Sequence, residues 1–73
     1  MKKQTPIKRD GIIRYVVSTV LVPFMGGYET MVFPATPEGS IRNYRDLDAK
    51  TYASKEEAER GHEVMCEKWG GEA

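Results

Sequence analysis

The sequence has a single cysteine, Cys66, and that scarcity excludes an internal disulfide. Small secreted domains are usually stapled by several bridges, so a reducing compartment is the simplest setting for this chain. Histidine is equally scarce. One His and one Cys cannot supply the four ligands of a structural zinc, and neither metal nor cofactor is expected. Long apolar runs are missing too. Ile12 to Val22 is too short to cross a bilayer as a helix and carries Arg14, Ser18 and Thr19. With no signal-peptide pattern either, the expected location is the cytosol, without membrane contact. A phosphate-cradling loop is also lacking, because Gly26-Gly27 has no strand–loop–helix context. Ser18, Thr19 and Ser40 come with no paired base, so the chain is not expected to be an enzyme.

The 73 residues make one domain. A chain this short buries only about 60% of its unfolded surface, and such domains lean on disulfides, a metal or a partner subunit. The first two being excluded, a homodimer or higher homo-oligomer is expected. Net charge is zero but unevenly spread. Lys2, Lys3, Lys8, Arg9 and Arg14 crowd the N-terminal part against Asp10 alone, whereas the C-terminal third is rich in glutamate. A basic arm of this kind reads either as a solvated segment or as a contact to nucleic acid.

Residues 1–10, with Pro6 and no periodicity, are expected to form a flexible basic arm, and residues 11–73 a single small domain. Asp10-Gly11 reads as a turn into a strand over Ile12 to Val22, which is rich in β-branched residues. Pro23 stops that strand, Pro23 to Gly27 turns the chain, and Tyr28 to Phe33 is the second strand. If Val22 pairs with Tyr28, then Thr19 and Met31 share one face with Glu29. A one-residue slip exchanges the faces. Both faces are apolar in either register, and this supports assembly through the sheet. Ile41 to Tyr44 is expected as a short strand, Asp46-Leu47-Asp48 as a turn or 3₁₀ piece, and Lys50 to Ala53 as an edge strand. Ser54 with Glu57 forms a capping box opening a helix that Gly70-Gly71 ends. On that helix Ala58, Gly61, His62, Met65 and Trp69 share one face. The fold class is therefore α+β: a small antiparallel sheet, a hairpin with one or two short added strands, on one C-terminal helix.

Three places carry candidate chemistry. His62 sits at the centre of the helix's apolar stripe, and Glu29 or Thr19 would orient it, as an architectural pin in preference to a catalyst. Cys66 lies one helical turn on, with nothing to acidify its thiol, and reads as a structural cysteine. Asp46 and Asp48 are too few for a cation site and read as turn caps. The hairpin tip is different. Phe24, Met25 and Tyr28, with Arg14, Arg42 and Arg45 among the neighbouring cations, make a binding surface for a protein or a stacked base, or else close the ends of the core.

Val17-Ser18-Thr19-Val20, Gly26-Gly27, Glu29-Thr30-Met31-Val32-Phe33 and Tyr52-x-Ser54-x-Glu56-Glu57-Ala58-x-x-Gly61-His62-Glu63 together resemble a group of small uncharacterised proteins encoded by tailed bacteriophages. The similarity spans residues 16–69. Many of those proteins carry a leucine, glycine, aspartate and histidine stretch and a longer loop after the first strand. This chain has Leu21-Val22-Pro23-Phe24 instead, so no role of that stretch is carried over. The resemblance implies a phage protein acting in the host cytoplasm, and it supplies no activity. The expected function is an accessory binding protein that acts on a host or anti-phage defence component, by inhibiting a protein or sequestering a nucleotide signal. The contact residues would be Phe24, Met25, Tyr28 and Arg14, with Thr19, Glu29 and His62 as the polar set under the helix. Two alternatives remain: a nucleic-acid binder using the basic arm, and a small hydrolase or nucleotide pocket around Glu29 and His62.

Overall fold

The computed structural model describes residues 2–71, apart from the Met25 side chain. Four strands form one antiparallel sheet in the order β1 (Lys2–Arg9), β2 (Ile12–Val22), β3 (Gly27–Pro34), β4 (Asp48–Tyr52). One helix, α1 (Lys55–Gly70), lies across one face. The fold is α+β, as the sequence predicts.

Residues 2–9 are not a loose arm. Asp10 and Gly11 both adopt positive φ, 55° and 79°, in a two-residue hairpin turn that matches the right-handed twist of the strands. That turn folds β1 back on β2 from Arg9↔Ile12 to Lys2↔Val20, with one irregularity beyond Ile7 that leaves Arg14 as the extra residue on β2. Pro6 is tolerated because β1 is an edge strand, where a missing backbone donor costs nothing on the outer side. The lysines and Arg9 on the same strand blunt its open edge against pairing with another chain.

The β2–β3 register is the slipped one. Val22 pairs with Gly27, Leu21 with Tyr28, Thr19 with Thr30 and Val17 with Val32. The tip explains the difference. A short 3₁₀ turn over Pro23–Met25, closed by Gly26 with φ 66°, uses up one residue fewer than the wider loop expected from the sequence. Tyr28, Thr30 and Val32 therefore join Val17 and Thr19 under the helix, while Glu29, Met31 and Phe33 face the other side. Val17, Val32, Ile7 and Met65 form the core, with Tyr15, Cys66 and Trp69 packed around it. Tyr15 and Trp69 meet edge to face at 5.0 Å between ring centres.

The helix begins and ends as its sequence requires. The Ser54 hydroxyl accepts from the Glu57 backbone N–H and donates to the Glu57 carboxylate, and Gly71 closes the C-terminus in the left-handed conformation. Ala58, Gly61, His62 and Met65 are its buried residues. The stretch 35–47 departs from expectation. Ile41 contributes only a single bridge to Ala35, so no strand forms over Ile41 to Tyr44. This loop crosses the sheet face opposite the helix, with Tyr44 edge-on to Phe33, and Val16, Ser18 and Phe33 are buried. Leu47 donates its backbone N–H to the Val32 carbonyl, leading directly into β4 at Asp48 with no separate turn or 3₁₀ piece.

Candidate functional site

Three strands and the helix converge on His62, which is 1% exposed. Thr5 on β1 and Thr19 on β2 project to the helix side of the sheet, and the helix stripe lowers the imidazole between them. Nδ1 lies 2.7 Å from the Thr19 hydroxyl and Nε2 lies 2.8 Å from the Thr5 hydroxyl. Thr19 continues the chain to Thr30 on β3 at 2.6 Å. Each hydroxyl can donate one hydrogen and accept others, so the chain Thr5–His62–Thr19–Thr30 closes in either direction with no ring nitrogen left over. No buried side-chain polar atom among the described residues lacks a partner.

Burial lowers the His62 pKa below its ordinary 6.5, the Lys3 ammonium lowers it further, and Glu63 opposes both. The ring is therefore held neutral near pH 7. Cys66 is half-buried, and burial pushes its thiol upward, so it is not activated as a nucleophile. The neighbouring Thr5 side chain and the Lys3 ammonium oppose that shift without being its largest cause. A substrate has no path to an imidazole this enclosed. The expected Glu29–His62 contact does not form, because Glu29 is on the opposite face of the sheet and pairs across from Val20. A hydrolase or nucleotide pocket built from those two residues is therefore absent from this geometry.

Asp48 is occupied structurally. Its Oδ2 accepts from Lys68 at 2.7 Å and from the Trp69 indole at 3.0 Å, and its Oδ1 accepts from the Ala49 N–H at 2.9 Å. These donors, led by Lys68, lower its carboxyl pKa. Among the described residues no cluster of potential metal ligands occurs.

The tip joins β2 to β3 at the Val22–Gly27 pair, whereas the loop 35–47 leaves β3 from its other end, after Pro34. Phe24 is completely exposed, at 102% of its reference area. Leu21, which sequence reasoning left out of the binding set, is also exposed, and it sits across from half-buried Tyr28. Its signal was the alternation of β2: Leu21 lies two residues beyond Thr19 and so on the helix side in either register, at the end of the strand next to the tip. The Met25 side chain falls outside the described residues. Arg14 is not at the tip. It sits at the bulge of β2, where it lines a groove with Arg42 and Pro34.

Two further residues escaped the sequence reading. Thr5 was assigned to a loose arm, and Thr30 was placed on the wrong face by the register. The Tyr52 ring of β4 lies directly against Gly61, where any side chain would collide with the ring. Compared with protein-family models, curated proteins and solved structures, the chain matches none.

Proposed function

We propose that the protein is a phage-encoded accessory protein that works by contact, binding a host or anti-phage defence protein in the host cytoplasm through its hairpin tip. The observation that carries this reading is Phe24, a whole phenylalanine ring held in water on an ordered turn. The turn itself needs Pro23 and Gly26, not Phe24, so the ring contributes nothing to the fold that a polar residue would not. Burying such a side chain in a partner is worth about 1.5–3 kcal/mol. Leu21 and Tyr28 extend the apolar surface below it.

The state of His62 supports the same direction, since both of its nitrogens are committed to threonines. The nucleic-acid alternative draws less support, because the basic residues of β1 have a role as edge protection. If that alternative held, affinity for nucleic acid would fall steeply with added salt. Homo-oligomerisation belongs to the proposal too. It would use the strip of the sheet that the loop 35–47 leaves open, around Val20, Val22 and Met31.

The test is affinity capture from host lysate with wild-type protein and Phe24→Asp. A discrete partner retained by the wild type and lost by the variant, at unchanged melting temperature, is the expected outcome. Equal retention by both proteins would remove the tip from the contact.

A further inference from the structure

We infer that the cleft between β1 and the loop 35–44 is a binding site for a single nucleotide unit, one base with its phosphate. The cleft measures about 450 Å³ and lies on the sheet face away from the helix, so it shares nothing with His62. That volume falls within the range of small-molecule sites.

Its lining combines the three features a nucleotide requires. Tyr44 is 78% exposed, yet its ring is held in place edge-on against Phe33 at 5.4 Å between centres, leaving an aromatic face on which a base can stack. Gln4 spends one side-chain N–H on Ser18 at 3.3 Å, which leaves its carbonyl oxygen and its second N–H to read a base edge that carries both a donor and an acceptor. Lys2 supplies a cation for the phosphate, and among the described residues no acidic one lines the cleft to neutralise it. Ser40 adds a hydroxyl at the rim.

The loop is preformed. Thr36 N–H donates to the Ser40 carbonyl at 2.8 Å, Gly39 N–H to the Thr36 carbonyl at 2.9 Å, and Arg42 N–H to the Pro34 carbonyl at 2.8 Å. Ser40 N–H is also tied to the Thr36 hydroxyl at 3.2 Å. A ligand entering the cleft therefore incurs little ordering cost. A bare anion would leave the Tyr44 face and the Gln4 amide unused, and an apolar ligand would strand Lys2 and Ser40.

The experiment is a ¹H–¹⁵N NMR titration of the full chain with AMP, GMP, CMP and UMP, with ribose 5-phosphate and inorganic phosphate as controls. At least one nucleotide is expected to give saturable shifts at the Gln4 side-chain amide and at residues 39–44, with the controls far weaker. Tyr44→Ala is expected to weaken binding by about tenfold or more, as loss of a stacking face does. Lys2→Gln is expected to weaken it by about threefold and to flatten its salt dependence. A short single-stranded oligonucleotide that binds the same cleft more tightly would assign the unit to a polymer, and equal or weaker binding would assign it to a free nucleotide. Both results uphold the site. Absence of saturable shifts with all four nucleotides overturns the inference. So does equal binding of ribose 5-phosphate, or unchanged affinity in Tyr44→Ala at unchanged melting temperature.

Discussion

His62 shows how a polar residue in an apolar stripe can be structural. Its two nitrogens bond hydroxyls from two different strands, and the second strand passes the chain to a third. His62→Ala would open a cavity and strand Thr5 and Thr19, and a cost of about 2–4 kcal/mol is expected in urea denaturation. An unchanged denaturation midpoint would contradict the pinning role. The pH dependence follows from the lowered pKa. The folded state disfavours the charged ring, first through burial and then through Lys3. Below about pH 6.5 the unfolded chain binds the proton more readily than the folded one, so stability falls as pH drops through the folded pKa. Above that range this group contributes no slope. Thermal melts between neutral pH and pH 5 should show this limb in the wild type, and His62→Gln should flatten it. Asp48 adds a separate loss only at lower pH, beneath its ordinary 3.8, because Lys68 and Trp69 hold its carboxyl lower still.

At the scale of elements, the helix was readable because its information is local. Ser54, Glu57 and Gly71 set its ends, and the spacing of Ala58, His62 and Met65 set its buried face. The reason for Gly61 was not local. It lies in Tyr52 of β4, whose ring occupies the place a side chain would take. In a helix interior alanine is favoured over glycine by about 1 kcal/mol, so a helix surface alone would predict that Gly61→Ala stabilises. The expected result is a destabilisation by the collision with Tyr52. In a Tyr52→Ala background the same change should become stabilising by about 1 kcal/mol. A double-mutant cycle measured by chemical denaturation separates the two, and additivity of the substitutions would exclude the contact. The strand pairs show the same division between local and distant signals. The positive-φ turn at Asp10-Gly11 announced a hairpin, yet only the downstream strand was recognised, since Pro6 and the lysines look unlike a central strand. They look like an edge strand, which is what β1 is.

At the scale of the whole molecule, the α+β class and the helix layer were legible, and the cover over the second sheet face was not. The sequence showed that both sheet faces are apolar, and a partner copy was expected over the second. The loop 35–47 covers part of that face instead, packing Tyr44 on Phe33, a contact invisible to periodicity because the loop has none. The polar set was legible in part: Thr19 and His62 meet as expected, whereas Glu29 went to the other face with the one-residue change of register. What the sequence most misjudged was how far the fold extends toward its N-terminus, and Ile7 decides that point. Its side chain is buried in the core with Val17, Val32 and Met65, and it pairs across from Tyr15. In a loose arm Ile7→Ala would leave stability unchanged. Within β1 the substitution should cost about 2–4 kcal/mol, a large share of the stability available to a domain this small. Urea denaturation of this one variant reads the difference directly. A midpoint equal to that of the wild type would return residues 2–9 to the arm, and with them Thr5 and one of the two anchors of His62.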